Sequence, residues 1–277
     1  MRCRSFSSLC LLLALAAAGG SLLAGCVSRP KENASAGELL VLGQEDLKAE
    51  RFERAREAFK RILRLYPDSK HRRDALLNLG DSYFKAQEYI AAKVQYSEFV
   101  QLYPISRKTP RAYYYLGMSD FNQILDFDRD QESARESLKS FNILLKRFPK
   151  SDYAVDGKKK SRHLRRLIAA HELFIARFYL KQGFPVSAIP RLREFVKEYH
   201  DIPDLRAEAM YYLGEGYRTE ESLEKAGVAY RNLVTDHPDS TFAKEAYERL
   251  LVLTGRNSGE SSSGFRIPFF SKKPARR

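Results

Sequence analysis

Residues Leu76–Pro104, LLNLGDSYFKAQEYIAAKVQYSEFVQLYP, carry small residues, tyrosines and a proline at spacings that predict two short antiparallel helices. The positions that form this pattern are Leu76, Leu79, Gly80, Tyr83, Ala92, Tyr96 and Pro104. The glycine and the alanine let the helices approach closely, the tyrosines fill the seam between them, and the proline ends the second helix. Because one such pair cannot bury its apolar face alone, the pattern predicts that further pairs stack on it.

Copies of this pattern occur before and after that stretch. They are Gly43, Ala55, Phe59 and Pro67; Tyr113, Leu116, Gly117, Phe141 and Pro149; Ala176, Tyr179, Ala188, Leu192 and Phe195; and Met210, Leu213, Gly214, Tyr217, Ala226, Tyr230 and Pro238. In the fourth unit His200 stands where the closing proline is expected, which predicts an irregular end. The spacing resembles the tetratricopeptide (TPR) repeat.

We therefore predict an all-α fold, a TPR-like helical-hairpin solenoid of five units with a C-terminal closing helix. The expected units are residues 38–67, 73–104, 110–149, 160–200 and 206–238, followed by a closing helix at 241–253. No alternating apolar run is long enough to predict a strand. Serines recur after the prolines at the joints, and each is expected to help cap the next helix: Ser69, Ser106, Ser151 and Ser240.

The first 25 residues combine an arginine-containing start, a short apolar stretch and small residues, which predicts a secretory signal peptide. Its end, Leu-Ala-Gly-Cys, resembles the lipobox of bacterial lipoproteins, and this resemblance implies cleavage before Cys26 and lipidation of its thiol. Cys3 and Cys10 lie in the removed segment, so Cys26 has no internal disulfide partner. The alternative is an ordinary buried cysteine. Residues 26–37 are expected to be a lipidated tether, and Val27 after the cysteine favours the outer membrane by the same resemblance.

Lysine and arginine outnumber acidic residues, and the formal net charge is +13. Such a balance suits nucleic acid, an anionic membrane surface or acidic proteins, and export argues against nucleic acid. Residues 254–277 are expected to be a disordered basic tail. Its segment FRIPFF and the cluster Lys272, Lys273, Arg276 and Arg277 suit a membrane surface or a partner groove, or have no binding role.

The sequence contains no recognisable catalytic constellation, and it predicts neither an enzyme, nor a cofactor, nor a metal site. His171 and Glu172 are adjacent, but no second histidine follows at the spacing of a zinc protease. Asp126, Asp128 and Asp130 lack the glycine and glutamate of a calcium loop, so we expect a solvated turn that caps the next helix.

The second face of each early unit's first helix is apolar and predicts a client-binding groove. Its candidate residues are Leu40, Leu47, Leu77, Phe84, Tyr114, Met118 and Phe121. The alternative is that curvature or neighbouring units cover these side chains. The same face is more polar in the later units, where it includes Arg177 and Arg218, which suggests a second partner. The basic run Lys158, Lys159, Lys160, Arg162, Arg165 and Arg166 is either a solvated face or a docking surface for acidic protein or anionic headgroups.

Together, these features resemble the BamD (ComL) family of lipoproteins of the β-barrel assembly machinery. The more specific matches are the insertion Asp128–Asp130, the segment Phe148–Asp156 and the residues Ala176, Tyr179, Gly183, Ala188 and Arg191. The resemblance implies a non-enzymatic scaffold on the outer membrane, facing the periplasm. It also implies that the N-terminal units bind unfolded outer-membrane proteins and the C-terminal units bind POTRA domains of a BamA-like insertase.

By family position, Arg191 is expected to donate an ion pair to the insertase. Arg177 and Arg218 are further candidate docking residues, and accessory lipoproteins are possible partners. The alternative function is a TPR lipoprotein adaptor in another envelope process, such as cell-wall synthesis or division.

Overall fold

The structure is a computed structural model that describes residues 32–126 and 129–255. All regular elements in these two ranges are α-helices, which confirms the predicted all-α, TPR-like fold class. The helices are α1 Ala36–Lys48, α2 Phe52–Leu65, α3 Arg72–Lys85, α4 Tyr89–Leu102, α5 Thr109–Phe121, α6 Glu132–Arg147, α7 Asp152–Lys181, α8 Pro185–Glu198, α9 Pro203–Thr219, α10 Leu223–Asp236 and α11 Thr241–Leu253. The chain divides into two compact bodies, an N-terminal body that ends at Ser82 and a C-terminal body that begins at Tyr83.

In the N-terminal body, α1 packs against α2. A capping box starts α1, because the Glu38 amide donates to Ser35 Oγ at 3.3 Å and the Ser35 amide donates to Glu38 Oε2 at 2.8 Å. A Cβ at Gly43 would lie 2.5 Å from a ring carbon of Phe59. Only glycine therefore fits between these two helices.

In the C-terminal body, each helix from α4 to α10 packs against the next one along the chain. The helices α5, α7, α9 and α11 also contact one another in succession, so the first helix of each hairpin packs on the first helix of the next. The glycine and aromatic positions of the repeat meet again here. A Cβ would lie 3.1 Å from Phe141 at Gly117 and 2.3 Å from Tyr230 at Gly214.

Three features of the joints differ from expectation. The helix α7 starts at Asp152, eight residues before the expected start of the fourth unit at 160. The helix α8 ends regularly despite His200, because the Tyr199 amide donates to the Phe195 carbonyl as at the other ends. Ser240 caps α11, whereas the side chain of Ser151 is buried and does not cap α7.

Candidate functional site: an aromatic row and a cationic corner

Four aromatic side chains of the C-terminal body contact one another in sequence, and we call them the aromatic row. They are Phe84 of α3, Tyr115 and Tyr114 of α5, and Tyr153 of α7, and all are half-buried. Successive ring centroids in this order lie 5.1, 5.3 and 5.2 Å apart. Edge-to-face and tilted contacts of this kind hold aromatic rings in defined orientations. The row is therefore an ordered surface that water still reaches.

A hydrogen bond fixes the centre of the row. The Tyr114 hydroxyl donates to Oδ2 of Asp156 on α7 at 2.8 Å. The pKa of Tyr114 is raised above its ordinary value, first because burial disfavours the phenolate and then because Asp156 accepts its proton. The hydroxyl thus remains a donor at physiological pH and ties α5 to α7.

Phe121 and Met118 lie further along α5 and are also half-buried. The Lys160 ammonium lies 4.2 Å from the centroid of the Phe121 ring, and the His163 ring centroid lies 6.0 Å from it. A cation over an aromatic face is attracted by the ring quadrupole. The structure thus brings the basic run of α7 into contact with Phe121 of the predicted client-binding groove, two features that are far apart in the sequence.

Three candidate groove residues are not open surface, and for them the prediction of an exposed face is wrong. Leu40, Leu47 and Leu77 are only 9%, 8% and 1% exposed. Leu39 is fully buried beside Leu40, and consecutive residues point about 100° apart on a helix, so burial extends over a broad side of α1. Burying such side chains contributes about 1.5 to 3 kcal/mol each, which favours packing over an open groove. The exposed apolar side chain of α1 is Val41.

The candidate docking arginines lie in different environments. Arg177 pairs with Glu208 at 2.8 Å and lies over the Tyr212 ring. Arg218 pairs with Glu215 at 2.8 Å. These two guanidinium groups are held by internal carboxylates.

Arg191 is exposed and forms a different set of contacts. Its guanidinium donates to the Ser187 carbonyl at 3.0 Å and lies 5.0 Å from the centroid of the Tyr179 ring. The exposed apolar residues Phe178, Phe184 and Val186 lie at the same corner between α7 and α8. The Phe184 amide donates to the Tyr179 carbonyl, which holds this turn in place. We call Arg191 and these three apolar residues the cationic corner.

The apolar part of the cationic corner was not predicted from the sequence. Phe184 and Val186 flank a proline just after Gly183, which has a φ of +79°. Apolar residues in a turn that contains glycine and proline do not follow helical periodicity. This departure from periodicity is the sequence feature that could have identified Phe184 and Val186.

The basic run of α7 is divided between paired and exposed residues. Arg165 pairs with Asp201 at 2.8 Å and Arg166 with Asp204 at 2.5 Å. These hydrogen bonds lower the pKa of both aspartates, more than burial raises it. Lys158, Lys159 and Arg162 are exposed.

A cleft of about 460 Å³ between α6, α7 and the end of α8 gathers several titratable groups. Burial raises the pKa of its Glu172, although a hydrogen bond with Tyr199 lowers it in part. Arg135 lies 3.9 Å from Glu172, and Arg165 lies 3.9 Å from Glu198. The cleft therefore places two arginine–glutamate pairs beside Tyr199.

Several predicted features lie outside the described residues, namely Cys26, the first half of the tether, Asp128 and nearly all of the basic tail. In the ranges 32–126 and 129–255, no three histidine, cysteine or acidic side chains are grouped so that they could hold a metal ion. Within the same ranges, no helix has both the length and the apolar composition needed to cross a bilayer.

Known proteins similar to this chain include assembly factors and TPR proteins. "Outer membrane protein assembly factor BamD" of Xylella fastidiosa strain Temecula1 is 28% identical, over 84% of each chain. The protein of the same name from Haemophilus influenzae is 29% identical, over 87% of this chain and 94% of the relative. The match to the Caulobacter vibrioides BamD is 30% identical over 50% of this chain and spans only 45% of that relative's length.

Solved structures with a similar fold include two TPR proteins. The TPR2AB domain of yeast Sti1 in a pHSP90 complex is 15% identical, covers 79% of this chain and 83% of that chain, and has a TM-score of 0.40. The thermophilic TPR protein TTC0263 of Thermus thermophilus is 18% identical, covers 78% and 100%, and has a TM-score of 0.36.

Two family models match the chain. A tetratricopeptide repeat model matches residues 208–240. The YfiO model, described as "Outer membrane lipoprotein", matches residues 32–220, which is more than half of the chain. The chain therefore belongs to the YfiO family of outer membrane lipoproteins, and the predicted relationship to BamD is confirmed.

Proposed function

We propose that this protein is a non-enzymatic scaffold of the outer-membrane β-barrel assembly machinery, anchored through Cys26 and facing the periplasm. Membership of a lipoprotein family and similarity to proteins named as outer membrane assembly factors support this role. The structural observation that supports the proposal is the aromatic row, a partly exposed surface in which a hydrogen bond from Tyr114 to Asp156 and contacts between the rings fix the side chains.

In this proposal the aromatic row, together with Met118 and Phe121 further along α5, binds unfolded outer-membrane protein clients. Phe84, Tyr114, Met118 and Phe121 remain as candidate contacts, because each is half-buried rather than sealed in the core. Rings that are held in place before binding lose little conformational entropy when a ligand arrives. This surface would bind aromatic and apolar side chains of an extended client segment.

The cationic corner is the proposed docking surface for the POTRA domains of a BamA-like insertase. An exposed arginine beside large apolar side chains is the composition of interface hot spots, and Arg191 and Phe184 provide it. The arginine would set orientation and association rate through a carboxylate on the partner. Arg177 and Arg218 would first have to release Glu208 and Glu215, so we propose Arg191 as the main docking cation.

Client binding can be tested with a fluorescent peptide that ends in aromatic residues. Replacing Phe84 and Phe121 together by serine should weaken binding about tenfold or more, which corresponds to about 1.4 kcal/mol. Because serine there also removes ring packing, a second variant with leucine at both positions should retain the fold, as measured by circular dichroism and urea unfolding, and still bind more weakly.

Phe184→Ser is the matched control, because it removes an exposed aromatic ring at the other surface. It should leave peptide affinity unchanged. Unchanged affinity in both the serine and the leucine double variants would refute client binding by the aromatic row and the adjacent Phe121.

The alternative, a TPR lipoprotein adaptor of another envelope process, predicts different partners. Purification from detergent-solubilised membranes should recover a POTRA-containing barrel protein if the main proposal holds. Recovery of cell-wall or division proteins without any such barrel protein would favour the alternative.

A further inference from the structure

The outward face of α2 carries a cationic stripe. At helical spacing it runs through Glu53, Glu57, Lys60, Arg61 and Arg64. Ala55, Arg56, Ala58, Phe59 and Ile62 of the same helix are buried. The two acidic residues lie in the first half of the helix. The second half presents three cations beside Leu65, an apolar side chain that is 50% exposed.

The segment that leads to the predicted lipid anchor lies against this cationic half. The Arg61 guanidinium donates to the Glu32 carbonyl at 2.9 Å, and the Tyr66 hydroxyl donates to the Ala34 carbonyl at 2.9 Å. These two contacts fix the chain beside the C-terminal end of α2 before α1 begins.

The distance from this point to the anchor is short. Glu32 follows Cys26 by six residues, and a fully extended chain spans at most about 3.6 Å per residue, or about 22 Å in total. If Cys26 is acylated, its thiol and amine lie at the membrane surface. Glu32, which contacts the cationic end of α2, must then lie within about 22 Å of the anchored Cys26.

We propose that Lys60, Arg61, Arg64 and Leu65 contact the anionic lipid headgroups of the leaflet in which Cys26 is anchored. This inference rests on the anchoring that forms part of the proposed function. Lysine and arginine close to an anionic surface are attracted to it, and an exposed apolar residue among them can enter the interface. The tether favours lipid over an acidic protein as the occupant, because it brings this helix to the membrane whatever else binds.

The test uses the full-length, lipidated protein with an environment-sensitive fluorophore at position 65. The mature chain retains only Cys26 of its three cysteines, and lipidation consumes that thiol, so Leu65→Cys supplies a single labelling site. The labelled protein is reconstituted on vesicles of phosphatidylcholine alone or mixed with phosphatidylglycerol. We expect emission to rise about twofold with phosphatidylglycerol and to fall again at high salt, since salt screens surface charge.

Two double variants test which cations cause the rise in fluorescence emission. Lys60→Gln with Arg64→Gln keeps the Arg61 hydrogen bond and should abolish the rise. Lys158→Gln with Lys159→Gln removes the same charge from exposed positions of α7 and should retain it. No rise with phosphatidylglycerol, or an equal loss in both variants, would overturn the proposal.

Two further measurements separate the remaining outcomes. Flotation of the labelled protein with both kinds of vesicle reports the acyl anchor independently, so loss of anchoring and loss of headgroup contact can be told apart. An equal rise in emission with soluble poly-glutamate, in the absence of phosphatidylglycerol, would assign the stripe to acidic protein and overturn the lipid assignment.

Discussion

Replacing Glu215 by glutamine should destabilise the C-terminal end of the fold, because three side chains from three helices meet on its carboxylate. The Tyr230 hydroxyl of α10 donates to it at 2.5 Å, Arg218 of α9 at 2.8 Å, and Arg249 of α11 lies at 3.1 Å. Tyr230 is fully buried. The network therefore holds the closing helix α11 against the last hairpin.

The expected cost follows from these contacts. A hydrogen bond to a charged group contributes about 1.5 to 3 kcal/mol, and glutamine retains an acceptor oxygen for Tyr230 but loses the charge. Both arginines are almost half exposed, so their ion pairs contribute about 0.2 to 1 kcal/mol each. We expect Glu215→Gln to lower the free energy of unfolding by about 1 to 2 kcal/mol.

Urea unfolding followed by circular dichroism measures this change. Glu220→Gln, at an exposed position on the end of the same helix, is the matched control and should change stability by less than about 0.5 kcal/mol. Equal stabilities of the two variants would refute the reasoning. Tyr230→Phe, combined with Glu215→Gln in a double-mutant cycle, should show coupling between the two side chains.

The network also predicts a pH dependence. Burial raises the pKa of Glu215, but hydrogen bonds from Arg218 and Tyr230 and the nearby arginine charges lower it more, so the pKa lies below its ordinary value of 4.5. A carboxylate with a lowered pKa stabilises the folded state above its unfolded pKa and loses that contribution as pH falls through the folded value. The difference between wild type and Glu215→Gln should therefore shrink as pH falls below about 4.5.

The remaining predictions concern packing and docking. Gly214→Ala should cost about 2 kcal/mol or more in urea unfolding, because its Cβ would lie 2.3 Å from the ring of the buried Tyr230, whereas Gly227→Ala, which meets no atom within 4 Å, should cost far less. Arg191→Ala should leave urea unfolding within about 0.5 kcal/mol of wild type but weaken binding to isolated POTRA domains about tenfold, as measured by calorimetry. Unchanged affinity for POTRA domains would show that Arg191 does not contribute to the docking surface.

The local pattern of the sequence determined the helical hairpins. Gly43 with Phe59, Gly117 with Phe141, and Gly214 with Tyr230 meet as the repeat spacing predicts. The pattern predicts hairpins because a glycine on the first helix leaves room for the aromatic ring of the second helix, and the two meet only when the helices are in close contact. The resemblance to the family was read from the same local patterns together with the segment around Cys26, and the family model matches residues 32–220.

Only the tertiary structure decided which side chains stay accessible. Leu77 and Phe84 follow the same helical spacing on α3, yet one is buried and the other half-open. Tyr114 meets Asp156 from 42 positions away, and Arg177 meets Glu208 from 31 positions away. Periodicity reports which residues share a face of one helix, but the partners that cover that face come from other helices, and their positions depend on packing of the whole body.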